Sequence, residues 1–273
     1  TFFQHANNMI QACGYNGYGT LGDASTTNRS SPVDVTTNWG GLAGSAREIK
    51  DVAGHSGEHD GTYAYAFGFA VMLLDDGTTT YLKGAGYNGG YGCGDGTATS
   101  PRSTPVSVIN VTGRVSKIIA IGDGGGTSIM ALKENGDLYV WGYNAYGQMG
   151  GGSTSIVTAP TLRDTGVTGI FGKTGNYVQG YVASAFYSKA DGLYASGYNG
   201  YAQLGVSDTT NRSTFTKVLL PGDFVVSDIG SYYSTYPTQT WLAVSTDGRL
   251  YAWGYNGQNN ITADSGTNCM APV

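Results

Sequence analysis

The apolar positions of this chain come in short runs bounded by turn residues, with no stretch at the three-to-four spacing of an amphipathic helix. Ile129-Met130-Ala131-Leu132 leads into Asn135-Gly136, and Leu138-Tyr139-Val140-Trp141-Gly142 follows. Asp76-Gly77, Asp191-Gly192 and Asp247-Gly248 stand at the corresponding place elsewhere. Asn-Gly or Asp-Gly between two such runs predicts a hairpin on a type I′ turn, in which both central residues hold φ > 0. After each hairpin come Gly-Tyr-Asn, a polar loop, Pro-Val, and a run ending in glycine such as Val115 to Gly122.

Gly-Tyr-Asn starts at Gly14, Gly86, Gly142, Gly197 and Gly254, at intervals of 72, 56, 55 and 57 residues. Self-similarity at such a period indicates a solenoid, propeller or array. Each period holds four short strands: a Pro-Val strand, an Ile/Val–Gly strand, an Ala-Leu strand and a Trp-Gly strand. Four antiparallel strands per repeat with no helical period make one propeller blade. The expected fold is therefore all-β, a β-propeller of four-stranded antiparallel blades with five repeats visible. Residues 1–273 are expected to form a single domain, with blades centred on the motifs at 14, 86, 142, 197 and 254. Thr1 to Gly14 aligns without a gap onto Ile129 to Gly142, and Pro272-Val273 lies as far beyond Gly254 as Pro32-Val33 lies beyond Gly14. A chain that starts on an Ala-Leu strand and stops on a Pro-Val strand is expected to close its ring with a blade shared between the termini, which would remove exposed sheet edges. One blade would then lack its Ile/Val–Gly strand. Thr1 in place of an initiator Met adds the expectation of a processed chain, or part of a longer chain or assembly.

The residues Leu138-Tyr139-Val140-Trp141-Gly142-Tyr143-Asn144 with Gly147-Gln148-Met149-Gly150, and Leu250-Tyr251-Ala252-Trp253-Gly254-Tyr255-Asn256, resemble repeats of the regulator of chromosome condensation family of β-propellers. Gly197 to Gly205 and Gly14 to Gly22 carry the same pattern. The resemblance implies a propeller and, from the family's founder, a seven-bladed exchange factor for the Ran GTPase that also binds chromatin. Only five copies are visible here, and no basic arm is present to meet DNA. Stretches such as Asp23-Ala24-Ser25-Thr26-Thr27-Asn28-Arg29-Ser30-Ser31-Pro32 are more similar to versions on bacterial surfaces and phage tail fibres.

Composition narrows this. Glycine fills 45 of 273 positions, too many for a helix bundle. Hydrophobic residues at 40% and a net charge of −5 exclude a disordered chain. The longest apolar run, Tyr63 to Leu74, is too short for a spanning helix, so no membrane insertion is expected. Only 14 Lys plus Arg and a pI near 5.0 argue against nucleic acid as a partner. Cys13, Cys93 and Cys269 lack the spacing of a zinc or redox site.

In an up-and-down blade, alternate connections open on one side. The Gly-Tyr-Asn loops (Tyr15 to Ser31, Tyr87 to Thr104, Tyr143 to Thr158, Tyr198 to Thr214, Tyr255 to Met270) thus share a face with His55 to Ala66, Lys173 to Gly180 and Ser231 to Thr240. The short hairpins lie opposite. Loops on a rigid scaffold carry binding residues, and tyrosine with Ser, Gly and Asn is a recognition vocabulary. Whatever recurs in every blade is most simply architectural. That covers Gly14, Tyr15, Asn16, Gly86, Tyr87, Asn88, Gly142, Tyr143, Asn144, Gly197, Tyr198, Asn199, Gly254, Tyr255 and Asn256, with each Asn bonding its own backbone in a turn. The tyrosines that do not recur, Tyr63, Tyr65, Tyr177, Tyr181, Tyr232, Tyr233 and Tyr236, are the candidate ligand-binding residues, with packing beneath a loop as the competing role.

Other chemistry is thin. His55, His59 and Asp60 offer imidazole and carboxylate to a metal, but the glycines around them oppose the helix that would align the two histidines, leaving a solvated loop as the default. Gly17-x-Gly19-x-x-Gly22 matches a dinucleotide fingerprint by letters and lacks the following helix. Gly122-Asp123-Gly124-Gly125-Gly126 reads as a turn after a strand rather than a phosphate loop. No Gly-x-Ser-x-Gly elbow and no Cys with a nearby His is present. The sequence thus points to a non-catalytic binding module without cofactor, extracellular or on a virion surface. Its expected partner is a cell-surface glycan or receptor, together with other subunits of a larger assembly. The alternatives are a protein-interaction or exchange-factor-like propeller, and an enzyme cleaving glycans with a carboxylate pair.

Overall fold

The computed structural model describes residues 1–40, 48–55, 68–123, 126–172, 183–233, 239–262 and 267–273. These residues form five antiparallel sheets and no helix. The first holds β1 (Phe2–Gln4), β2 (Ile10–Gly14) and β3 (Arg29–Asp34). The second holds β4 (Glu48–His55), β5 (Phe69–Asp75), β6 (Thr80–Gly86) and β7 (Arg102–Ser107). The third holds β8 (Val115–Asp123), β9 (Gly126–Lys133), β10 (Leu138–Gly142) and β11 (Val157–Asp164). The fourth is built from β12 (Val167–Gly172), β13 (Ser184–Lys189), β14 (Gly192–Gly197) and β15 (Arg212–Lys217). The fifth contains β16 (Val226–Tyr233), β17 (Gln239–Ser245) and β18 (Leu250–Gly254).

Strand order within each sheet follows the chain, as an up-and-down blade requires. β4, β8, β12 and β16 are neighbours across successive sheets and so form the inner row of the array. The Ala-Leu strands β5, β9 and β13 lie between two blades and are buried on both faces, which explains their unbroken apolar runs, whereas β1 and β17 in the end sheets expose Phe3 and Val244. In β5 the period of two is visible in the packing. Phe69, Val71 and Leu73 join Ile118, Ile129 and Trp141 of the third sheet. Ala70, Met72 and Leu74 join Ile10, Leu21 and Trp39 of the first. Ile121, Met130 and Val140 pack on Ile170 and Tyr187 between the third and fourth sheets, and Phe186 and Leu193 pack on Trp241 and Trp253 between the fourth and fifth.

Two expectations are corrected. Among the described residues no strand pairing joins the two termini into one blade. Val273 and Ala252 exchange backbone hydrogen bonds of 3.0 and 2.9 Å, and Cys269 does the same with Gly254 at 2.9 Å. The C-terminal residues therefore complete the fifth blade on their own side, while among the described residues β1 pairs with β2 alone. Among the described residues no core cluster joins the first sheet to the fifth. The alignment of the terminal strands with the repeat is right, since Val33 faces Ala12 as Val273 faces Ala252. It identifies the kind of strand, not the sheet it joins.

The hairpins form at all four predicted places, but not on type I′ turns. Gly136 and Gly248 have φ of +86°, whereas Asn135 and Asp247 stay out of the left-handed region. Gly136 N–H donates to Lys133 and Lys133 N–H to Asp137, a three-residue connection in which only the last loop position needs φ > 0. In the first blade Asn8, with φ of +62°, replaces that glycine, as a short amide side chain permits.

Leu73 is fully buried and Leu250 is 59% exposed. Leu73→Ala is expected to cost about 2–5 kcal/mol, and Leu250→Ala about 0.5 kcal/mol or less. Denaturant midpoints at constant m-value measure both.

Candidate recognition face

The Gly-Tyr-Asn loops leave the ends of β2, β6, β10, β14 and β18 opposite the hairpins. Their conformation is set by one buried side chain. Asn16, Asn88, Asn144, Asn199 and Asn256 are at most 1% exposed. Each Oδ1 accepts the N–H five residues on: Leu21, Cys93, Met149, Leu204 and Ile261, at 2.8–2.9 Å. Each Nδ2 reaches the far limb of the loop. Asn16 bonds the carbonyls of Ser25 and Thr27, Asn144 those of Ser153 and Ser155, and Asn199 those of Asp208 and Thr210. Asn88 bonds the Thr97 carbonyl and Asn256 the Thr262 carbonyl. The asparagine thus closes a long loop, where a local turn was expected. A loop remote from any sheet ladder satisfies its backbone groups this way.

The tyrosine beside it has a local cause too. A Cβ at Gly17, Gly89, Gly200 or Gly257 would lie 2.2–2.4 Å from the hydroxyl of Tyr15, Tyr87, Tyr198 or Tyr255. Only glycine lets the ring fold over the chain there. The rings then bridge blades edge to face: Tyr18 with Tyr87 at 5.6 Å, Tyr146 with Tyr198 at 5.3 Å, and Tyr201 with Tyr255 at 5.8 Å. Tyr15, whose sheet has no described neighbour on its outer side, is 46% exposed. In three blades the residue before the motif glycine also crosses between blades. Trp141, Ser196 and Trp253 donate to the carbonyls of Gly92, Gln148 and Gln203 in the preceding loop. Sequence reasoning missed this contact, although the constant six-residue offset of those carbonyls from the preceding motif was available to it.

Three loops add a charged clasp. Asp23 pairs with Arg29, Asp95 with Arg102 and Asp208 with Arg212. For Asp23, burial works to raise the pKa, but hydrogen bonds from Ser25, Arg29 and Asn16 outweigh it and hold the carboxyl below its ordinary value. Asp95 is lowered in the same balance, against burial, by Thr97, Asn88 and Arg102. Asp208 is lowered first by Arg212. Outside the clasps the crest is exposed and uncharged: Thr26, Thr27 and Asn28; Thr97, Thr99 and Ser100; Ser153, Thr154 and Ser155; Thr209, Thr210 and Asn211.

Tyr63, Tyr65, Tyr177, Tyr181, Tyr236, His59 and Asp60 lie outside the described residues. Tyr232 and Tyr233 were expected in a loop, but they end β16, opposite Thr240 and Gln239, because the antiparallel ladder runs further than the apolar pattern. His55 likewise ends β4, opposite Phe69. Among the described residues no three His, Cys, Asp or Glu side chains gather as a metal site. Burial pushes the Cys93 thiol far up, away from reactivity.

Comparison with known proteins fits this architecture. Residues 119–148 and 135–169 match models of the Regulator of chromosome condensation (RCC1) repeat. The chain is 28% identical over 192 residues to Ultraviolet-B receptor UVR8 of Arabidopsis thaliana, covering 70% of this chain and 40% of that protein. It is 31% identical over 139 residues to the X-linked retinitis pigmentosa GTPase regulator of Canis lupus familiaris, covering 50% of this chain and 13% of that protein. The chain therefore spans well under half the length of these relatives. The crystal structure of human WBSCR16 is similar in fold, with a TM-score of 0.65 at 17% identity over 97% of this chain and 60% of that one. RCC1-type repeat sequence thus lies within residues 119–169, which span the β8–β11 sheet and its loops.

Asn199→Ala removes a side chain with partners on both limbs of its loop, and is expected to cost about 3 kcal/mol or more in chemical unfolding. The lowered carboxyls of Asp23 and Asp95 contribute stability that is complete above the unfolded Asp pKa of about 3.9 and is lost as pH falls through the lower folded values. A Asp23→Asn, Asp95→Asn double variant should show a shallower acid limb in melting temperature against pH, with both proteins converging at the acid end.

Proposed function

We propose that this chain is a non-catalytic recognition module that binds a protein partner through the loop face. The observation that carries the reading is the asparagine-clasped loop, repeated from blade to blade, which holds an uncharged, hydroxyl-rich crest on one side of a stiff scaffold. A surface ordered in advance loses little conformational entropy on binding. Similarity to a protein named as a GTPase regulator supports a protein partner over a small substrate.

A second reading, attachment to a cell-surface glycan or receptor from a virion or bacterial surface, draws on the same crest. Exposed Tyr15 and the threonines and serines around it suit sugar stacking and hydroxyl hydrogen bonding.

A photo-crosslinking side chain placed at Thr99 or Thr154 on the crest, or at Asn135 on the opposite hairpin, separates these readings. In extract of the producing cells, discrete protein adducts from Thr99 and Thr154 but not from Asn135 are expected. Adducts only from Asn135 contradict the loop face. Binding on a glycan array with no protein adduct from any position favours the second reading.

A further inference from the structure

Counting from the motif glycine, the twenty-first residue is Val35 in the first blade and Val218 in the fourth, both buried. Val108 holds the same place in the second, one residue later. The backbone N–H of each donates to the neighbouring strand, at Ile10, Leu193 and Leu82 respectively. In the third blade the twenty-first residue is Arg163, but there Leu138 faces Asp164 and Tyr139 faces Leu162, so Arg163 is the extra residue of a bulge in the β10–β11 ladder.

A second exchange accompanies it. The ninth residue of the motif is Asp23 in the first blade and Asp95 in the second, each clasped by Arg29 or Arg102. In the third blade the same two places hold Gly151 and Val157. Arg163 lies beside the vacated spot. A Cβ on Gly151 would be 2.5 Å from its Nη1 and 2.9 Å from its Nη2. Arg29, Arg102, Arg114, Arg212 and Arg249 each reach an acidic side chain. Arg163 has none among the described residues, and its buried Nε lacks any hydrogen-bond partner. Burial holds its pKa below the usual guanidinium value. The adjacent Asp164 is engaged by Tyr187 and Lys189. Gly151, Gly152 and Ser153 above it are exposed.

We propose that Arg163 beside Gly151 is a binding site for a single carboxylate side chain of a protein partner. The occupant follows from the molecule's own repeats, where the matching place in two other blades holds an aspartate. A guanidinium fork suits a planar carboxylate, and a chain of net charge −5 disfavours a polyanion. The site deepens the protein-partner reading and rests on it.

Backbone amide resonances of Gly150, Gly151 and Gly152 are followed by NMR during titration with N-acetylglutamate amide, N-acetylglutamine amide or inorganic phosphate. Saturable shifts are expected with the glutamate compound alone. R163V removes a half-buried guanidinium that has no acidic partner among the described residues, so it should melt close to the wild-type temperature while binding at least about tenfold more weakly. G151D should fill the site from within, by a small swing of the guanidinium, and abolish the response without lowering the melting temperature. No saturable shift in wild type, equal shifts in R163V or G151D, or stronger binding of phosphate overturns the assignment. Crest crosslinks that persist unchanged in R163V would remove this site while leaving the broader reading intact. Loss of crest crosslinks in a wild type that still binds the glutamate compound would do the reverse.

Discussion

Every blade of this protein depends on a buried amide side chain placed two residues after the motif glycine. Its carbonyl oxygen takes the N–H of the fifth residue on, and its nitrogen ties down carbonyls of the returning limb. Hydrogen bonds of this kind contribute modestly when made and cost more when one partner is removed in a buried place. A loop closed by one such residue is therefore specific: another side chain would leave several backbone groups unpaired at once. The glycine that follows in four of the five motifs then lets the tyrosine ring fold over the chain, and the rings of Tyr87 and Tyr255 pack on the preceding blade.

This arrangement links loop conformation to blade packing. Trp141, Ser196 and Trp253 bond carbonyls inside the preceding loop, so each loop is also part of the contact between neighbouring sheets. A loop could not move far without disturbing a buried tryptophan or serine. The recognition face thus inherits its stiffness from the core. The doubly buried strands β5, β9 and β13 supply much of the apolar burial, leaving the crest free to vary in sequence.

Much of this was legible in the amino-acid order. The Gly-Tyr-Asn spacing and the Asn-Gly and Asp-Gly turns located the blades, their strands and the face on which the long loops open. What escaped has physical reasons. In four of the five blades the asparagine acts across nine to eleven residues, a distance that leaves no periodic trace. Turn type at Gly136 depends on loop length, which a dipeptide does not specify. The extension of β16 through Tyr233 comes from backbone pairing with β17, for which side-chain pattern is a weak guide. Pairing of Val273 with Ala252 is a choice between two sheets of equal sequence character. Arg163 was visible in principle, as an arginine in a column of valines, once the repeats were aligned beyond the Pro-Val dipeptide. Its lack of an acidic partner was not.

Native-state hydrogen exchange at the amides of Leu21, Cys93, Met149 and Leu204 tests the central role of the asparagine most directly. These amides lie in loops, outside every ladder, and are held only by Asn16, Asn88, Asn144 and Asn199. Protection comparable to that of Ile129 and Met130 in β9 is the outcome required if the buried amide fixes the loop to the core. Exchange at the rate of Thr26 or Thr154 on the exposed crest would contradict it.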